Sequence, residues 1–269
     1  MHSSIKKFTV LIPVMLITLF LFAAQSEALV LADSSSTLDW NTFTVTLSPG
    51  ISLAWQDSGL YSYATSRIDV GSTAGVVYDN HSVTGWSASV NSSASYPGIY
   101  HESSVNSTTG ILYSYADVNN TGYERLHTQD TAQRTGYFSV VGSGTITFAI
   151  DYLIDSFASN SGPDAGYAGG EAHFGVTNLS ISNVAGDYAI DKTISYAQLY
   201  SGETVSGFAS GRLEVSYDFT QGQQGVLIAQ AFSYATYMPL PRPVPEPSSL
   251  LLVISGLMSA AFLRRRGDR

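Results

Sequence analysis

The chain has 269 residues, no cysteine, and 21 acidic against 12 basic side chains. Between Leu29 and Leu240 only Arg67, Arg125, Arg134, Lys192 and Arg212 stand against eighteen carboxylates, a net charge of −13. So acidic a body repels phosphate backbones and excludes nucleic acid as a partner. The missing thiols exclude cysteine nucleophiles, thiolate metal sites and a disulfide-held fold, so a single large core must hold the body together.

The first predicted element is a targeting segment. Met1-His2-Ser3-Ser4-Ile5-Lys6-Lys7 is short and basic, an apolar run follows over 8–24, and Ser26-Glu27-Ala28 places small residues where a signal peptidase reads. Residues 1–28 are therefore expected to be a signal peptide cut after Ala28, with an uncleaved anchor as the alternative.

The body, 29–238, reads as strands. Phe43, Val45 and Leu47 alternate with Thr44 and Thr46 ahead of a Ser48-Pro49-Gly50 turn. Further strands are expected over 60–70, 75–78, 83–90, 111–117 and 137–141. Over 145–155, Ile146, Phe148, Ile150, Tyr152 and Ile154 share one side and Thr147, Ala149, Asp151, Leu153 and Asp155 the other, the period of two of a half-buried strand. Val141-Gly142-Ser143-Gly144 between these last two runs predicts a tight hairpin. Later strands are expected over 171–182, 194–200, 204–210, 213–219 and 225–237. No apolar repeat of helical period and no fixed-length internal repeat is visible in this region, which argues against a propeller or solenoid. The expected fold is all-β, an antiparallel β-sandwich or jelly roll, flanked by the N-terminal signal peptide and a C-terminal transmembrane helix.

The tail changes character. Over 239–247 proline occupies every second position, from Pro239 to Pro247, which predicts an extended strut of about 28 Å at ~3.1 Å per residue. Residues 248–269 then form an apolar segment closed by Arg264-Arg265-Arg266. Its sixteen residues make a helix of about 24 Å, shorter than the ~30 Å hydrocarbon layer. Arg264 can snorkel, and the arginines are expected to stay cytoplasmic as a stop-transfer cluster, leaving the body outside.

Val244-Pro245-Glu246-Pro247-Ser248-Ser249, a short apolar segment and Arg264-Arg265-Arg266, in this order, resemble the PEP-CTERM sorting signal. The resemblance covers about 25 residues. It implies recognition of Pro245, Glu246 and Pro247 by an exosortase, an inner-membrane-anchored precursor, and delivery to the cell surface or exopolysaccharide matrix of a Gram-negative bacterium. In this reading the chain is a substrate of exosortase and signal peptidase and no enzyme.

Candidate chemistry within the body is sparse. His81, His101, His127 and His173 lack metal-ligand spacing and read as surface or turn residues, and Gly-x-Ser-x-Gly is absent. Asp151 and Asp155, four apart on one strand, share a face as the carboxylates of a β-sandwich glycosidase would, although their face lacks an aromatic platform. No cofactor is expected. The stretch 161–171, read as a surface loop, offers Asp164, Glu171 and backbone carbonyls as hard oxygens for calcium, without the Asp-x-Asp-x-Asp-Gly order of a dedicated loop. Seventeen tyrosines raise an alternative, a carbohydrate-binding module, with Tyr61 and Tyr63, and Tyr113 and Tyr115, sharing strand faces.

Overall fold

In the computed structural model the described residues are 30–71, 75–97, 99–120, 125–160, 164–180, 188–199 and 203–239. They form twelve strands: β1 (Val30–Leu47), β2 (Ser52–Val70), β3 (Gly75–Thr84), β4 (Val90–Tyr96), β5 (Ile99–Asn106), β6 (Ile111–Asn120), β7 (Leu126–Val141), β8 (Gly144–Asn160), β9 (Ala165–Asn178), β10 (Tyr188–Leu199), β11 (Thr204–Phe219) and β12 (Gln224–Met238). Two six-stranded antiparallel sheets result, in the orders β11-β8-β1-β6-β5-β4 and β10-β9-β12-β7-β2-β3. The expected all-β sandwich is thus observed. The chain divides into two units, Met1–Pro239 and Leu240–Arg269. The signal peptide, most of the proline strut and the expected C-terminal helix lie outside the described residues.

Alternation holds where the sequence shows it. Ile146, Phe148, Ile150 and Ile154 of β8 are buried while Leu153 and Asp155 are exposed. Leu213, Val215 and Phe219 of β11 are buried against exposed Glu214, Ser216 and Asp218. The runs 204–210 and 213–219 prove to be one strand, β11, continuous through Gly211.

Three expectations are corrected. First, Gly142-Ser143 does not close a hairpin. Strand β7 pairs with β2 and β12 in one sheet, and β8 pairs with β1 and β11 in the other. Both strands have their ladder partners already, so the turn arches from sheet to sheet and lets Phe138 and Phe148 meet with ring centroids 5.6 Å apart. The β1–β2 connection arches beside it. Ser48 N–H donates to Thr145 O at 3.0 Å, and Gly142 (φ 86°) lies so close to Gly50 O that a Cβ would overlap it.

Second, the run 83–90 is not one strand. Gly85 (φ 91°) breaks it, and residues 85–88 carry the chain from β3 in one sheet to β4 in the other. Third, the loop read over 161–171 is largely strand: β9 begins at Ala165, and Glu171 pairs in register with Ile194 and Phe232. Glycine and alanine at 165–170 suggest a flexible loop from sequence. Here they are small residues required by close packing.

The interior has three zones along the strands. At one end, Phe138, Phe148, Phe174 and Phe219 are fully buried with Leu38, Ile146 and Ile150. At the other, Val30, Ile68, Val118, Leu126 and Tyr237 close a second cluster made largely of alanine. Burying each large side chain contributes about 1.5–3 kcal/mol. Between them lies a waist of serine. Ser36 Oγ donates to Glu171 O (2.7 Å), Ser103 Oγ to Thr65 O (2.9 Å), Ser156 Oγ to Ser195 O (3.2 Å) and Ser233 Oγ to Ser114 O (2.9 Å), each bond running from one sheet to the other's backbone. A side chain this short reaches the facing backbone only when the sheets approach well inside the ~10 Å of ordinary face-to-face packing. Gly170 meets the same demand: a Cβ there would stand 2.5 Å from Ile154 Cγ2 and 3.1 Å from Ser35 O.

Candidate functional site

The expected sorting residues Pro245, Glu246 and Pro247, and the stop-transfer Arg264, Arg265 and Arg266, lie outside the described residues. The other sequence candidates can be placed.

Asp151 and Asp155 sit on the outer face of β8, as expected, but in different surroundings. Arg212 of β11, directly opposite Asp151 in the ladder, donates from Nη1 to Asp151 Oδ1 at 2.8 Å and from Nη2 to Thr44 Oγ1 at 2.7 Å. Asp155 lies opposite Ser35, beside Asp33, which in turn faces Asp117 across the β1–β6 ladder. Burial raises the Asp33 carboxyl above the usual carboxylate range, and the charges of Asp155 and Asp117 raise it further. Burial likewise raises Asp117, against the Tyr100 N–H that donates to it at 2.7 Å. Asp164 and Glu171, the calcium candidates, are not brought together. Tyr237 Oη donates to Asp164 Oδ2 at 2.9 Å in the interior, whereas Glu171 holds Lys192 at 2.5 Å on the outer face of the other sheet. Among the described residues no group of three or more His, Asp or Glu gathers in metal-binding geometry.

His101 is a correction. Read as a surface or turn residue, it is 0% exposed and points from β5 into the serine waist. Its Nδ1 is 2.8 Å from Asp130 Oδ2, and Ser66 Oγ donates to Asp130 Oδ1 at 2.5 Å. Burial raises Asp130, opposed by the hydrogen bonds of His101 and Ser66. Serine, aspartate and histidine here do not form a nucleophile relay. The carboxylate stands between the other two, so the serine hydroxyl donates to Asp130 and the histidine does not face it. The group ties β2, β5 and β7 across the two sheets, and among the described residues His101 Nε2 has no partner.

All three tryptophans converge at the aromatic end. Register shifts between Asp39 and Thr44 in β1 and between Trp55 and Leu60 in β2 turn Trp40, Phe43 and Trp55 toward the core. Trp86, from the β3–β4 connection, packs edge-on to both Trp40 and Trp55 at 4.8 Å. Arg134, 3% exposed, lies with its guanidinium 4.8 Å from the Trp40 ring centroid and donates from Nη2 to Trp86 O at 3.0 Å. Burial lowers it to about 10, and among the described residues no carboxylate pairs with it.

On the outer face of the second sheet, Tyr167, Tyr196, Gln198 and Tyr234 line an open trough of about 310 Å³. Its floor is built by register: Tyr196 of β10 and Tyr234 of β12 flank Gly169 of β9 in one row across three strands. The Tyr234 phenol lies over Gly169 so closely that a Cβ there would overlap it, and the Tyr167 ring meets Tyr234 edge-on at 5.9 Å. Of the tyrosines singled out from sequence, Tyr113 and Tyr115 do share a face, with parallel rings 6.5 Å apart, and burial lifts Tyr113 to about 12. Tyr61 and Tyr63 also share the outer face of β2, where Tyr61 packs edge-on against Tyr137. The trough tyrosines come from three strands separated by up to 67 positions, so no local pattern links them; the signal that existed was a tyrosine two residues before the Gly169-Gly170 pair.

No curated protein matches the chain at a significant level. A family model does: the PEP-CTERM protein-sorting motif matches residues 243–266. The match begins after the last strand of the sandwich ends at Met238 and takes in both the Pro-Glu-Pro box and Arg264-Arg265-Arg266. The chain therefore carries a PEP-CTERM protein-sorting motif at its carboxyl end, the signal of an exported protein handled by an exosortase.

Proposed function

We propose that this is a surface or extracellular-matrix protein of a Gram-negative bacterium whose sandwich is displayed and does no chemistry of its own. A signal peptide over 1–28 directs export, and the segment 248–269 holds the precursor in the inner membrane with Arg264–Arg266 on the cytoplasmic side. Exosortase then processes the chain near Pro245-Glu246-Pro247. The observation that carries this reading is the motif match at 243–266. The body adds support. Its most enzyme-like residues are committed to the fold, Asp130 and His101 to each other inside the core and Asp151 to Arg212.

Intact-mass measurement of the protein recovered from the surface fraction of an exosortase-positive host tests it. The expected mass lacks both the leader and the tail, and replacement of Pro245 and Glu246 by alanine leaves the tail in place. Full-length chain in the mature surface fraction of the unaltered protein defeats the processing step.

A further inference from the structure

We infer that the trough of Tyr167, Tyr196, Gln198 and Tyr234 is a binding site for a neutral polysaccharide, held by stacking of sugar rings on Tyr196 and Tyr234. The inference rests on the sandwich alone and stands whether or not the tail is processed.

The platform is built into the fold. Gly169 removes a side chain from the middle of the row Tyr196–Gly169–Tyr234, and the Tyr234 ring reclines into the gap. An aromatic ring laid over a strand glycine also covers bare backbone, which accounts for Tyr234 by itself. It does not account for Tyr196, which is 64% exposed on β10, a strand at the sheet edge, and so adds little to the core. With Tyr234 lying over the glycine and Tyr196 standing on its far side, the two rings line an open aromatic trough of about 310 Å³. A trough open to solvent suits a chain running through it better than an enclosed metabolite.

The chemistry of the lining selects the ligand class. Ring faces match the apolar C–H faces of pyranoses, and the phenols offer donors and acceptors to hydroxyls. Burial and the nearby Glu171 charge raise the Tyr234 phenol, which keeps it a neutral donor over the physiological range. Among the described residues no cation lines the trough, and Lys192, further along the same face of β10, is held by Glu171. A body this acidic adds a repulsive field against uronate or sulfated polymers.

Affinity electrophoresis of the full chain in mild detergent, through gels containing hydroxyethylcellulose, dextran or galactomannan and, for contrast, alginate, tests the site. Retardation is expected in at least one neutral polymer and not in alginate. Tyr196→Ala and Tyr234→Ala each weaken it at least fivefold, Tyr196→Phe preserves it, and Tyr61→Ala, away from the trough, leaves it unchanged. Tyr196→Ala removes an exposed side chain, so an unaltered thermal melt separates lost binding from lost fold. No retardation by any of the three neutral polymers, retardation by alginate alone, or equal retardation of Tyr196→Ala and the unaltered protein overturns the proposal.

Discussion

His101 Nδ1 lies 2.8 Å from Asp130 Oδ2, and both side chains are wholly withdrawn from solvent. They belong to different sheets, His101 to β5 and Asp130 to β7, so this contact pins the two layers together at the serine waist, while Ser66 of β2, beside Asp130 in the same sheet, holds the carboxylate in place. Removing one partner leaves a buried polar group with nothing to bond. Asp130→Ala should therefore cost about 3–5 kcal/mol, and Ser66→Ala about 1–3 kcal/mol. Urea melts followed by circular dichroism would show this order, and equal stability of Asp130→Ala and the unaltered chain would disprove the role.

Arg134 sets up the opposite expectation. Among the described residues its buried charge has no carboxylate and its Nε no partner. An apolar side chain of similar length removes that desolvation cost while filling the space beneath Trp40. Arg134→Met is expected to be neutral or to stabilise by about 1 kcal/mol or more, whereas Arg134→Ala opens a cavity and costs about 2–4 kcal/mol. Tryptophan emission should shift red in the alanine variant alone, because the Trp40 ring rests on this side chain and the Trp86 carbonyl is held by it.

The carboxylates of the outer face predict an unusual pH response. Asp33 and Asp117 face each other on β1 and β6, with Asp155 of β8 close by and Glu102 of β5 on the same face. Both Asp33 and Asp117 are raised from 3.8, so the folded state binds more protons than the unfolded state between 3.8 and the raised values. Stability from these groups is present below that window and lost as pH rises through it. Asp33→Asn should raise the Tm at pH 7 by about 1–3 °C and flatten its pH dependence. Asp79 behaves in reverse: the Ser93 N–H at 3.0 Å lowers its carboxyl, so Asp79→Asn should lower the Tm at neutral pH. Tm values that move the same way in both variants would break the argument.

Gly170 tests the close approach of the sheets. Its φ is not in the left-handed region, so any cost of substitution is steric. Gly170→Val forces Ile154 and the Ser35 backbone apart and should cost about 2–3 kcal/mol or more. Gly222, whose added Cβ would meet nothing, is a control limited to backbone strain, since its φ is +83°.

How far the sequence reaches can be judged residue by residue. The period of two in β8 and β11 is a local property, because successive side chains of any strand point to opposite faces, so Ile146 to Ile154 and Leu213 to Phe219 declared themselves. The sorting signal was legible for the same reason: its proline box, apolar stretch and arginines are contiguous and act as a linear string. Where the pairing partners sit is not local. Val141-Gly142-Ser143-Gly144 reads as a hairpin, and only the occupation of both edges of β7 and β8 by other strands makes it an arch.

Tertiary structure alone decided the rest. His101, Asp130 and Ser66 are polar residues in polar surroundings along the chain, and nothing short of the facing of two sheets puts them in a core. Trp40, Trp55 and Trp86 converge because two bulges and one crossover turn them inward. Tyr167, Tyr196 and Tyr234 meet because register sets them around a glycine. The sequence by itself determined the alternation, the absence of disulfides and the carboxyl-terminal address, since each depends on neighbours along the chain. Which strands lie side by side, and hence what the interior and the outer faces hold, depends on contacts between segments far apart in the chain, and those exist only after folding.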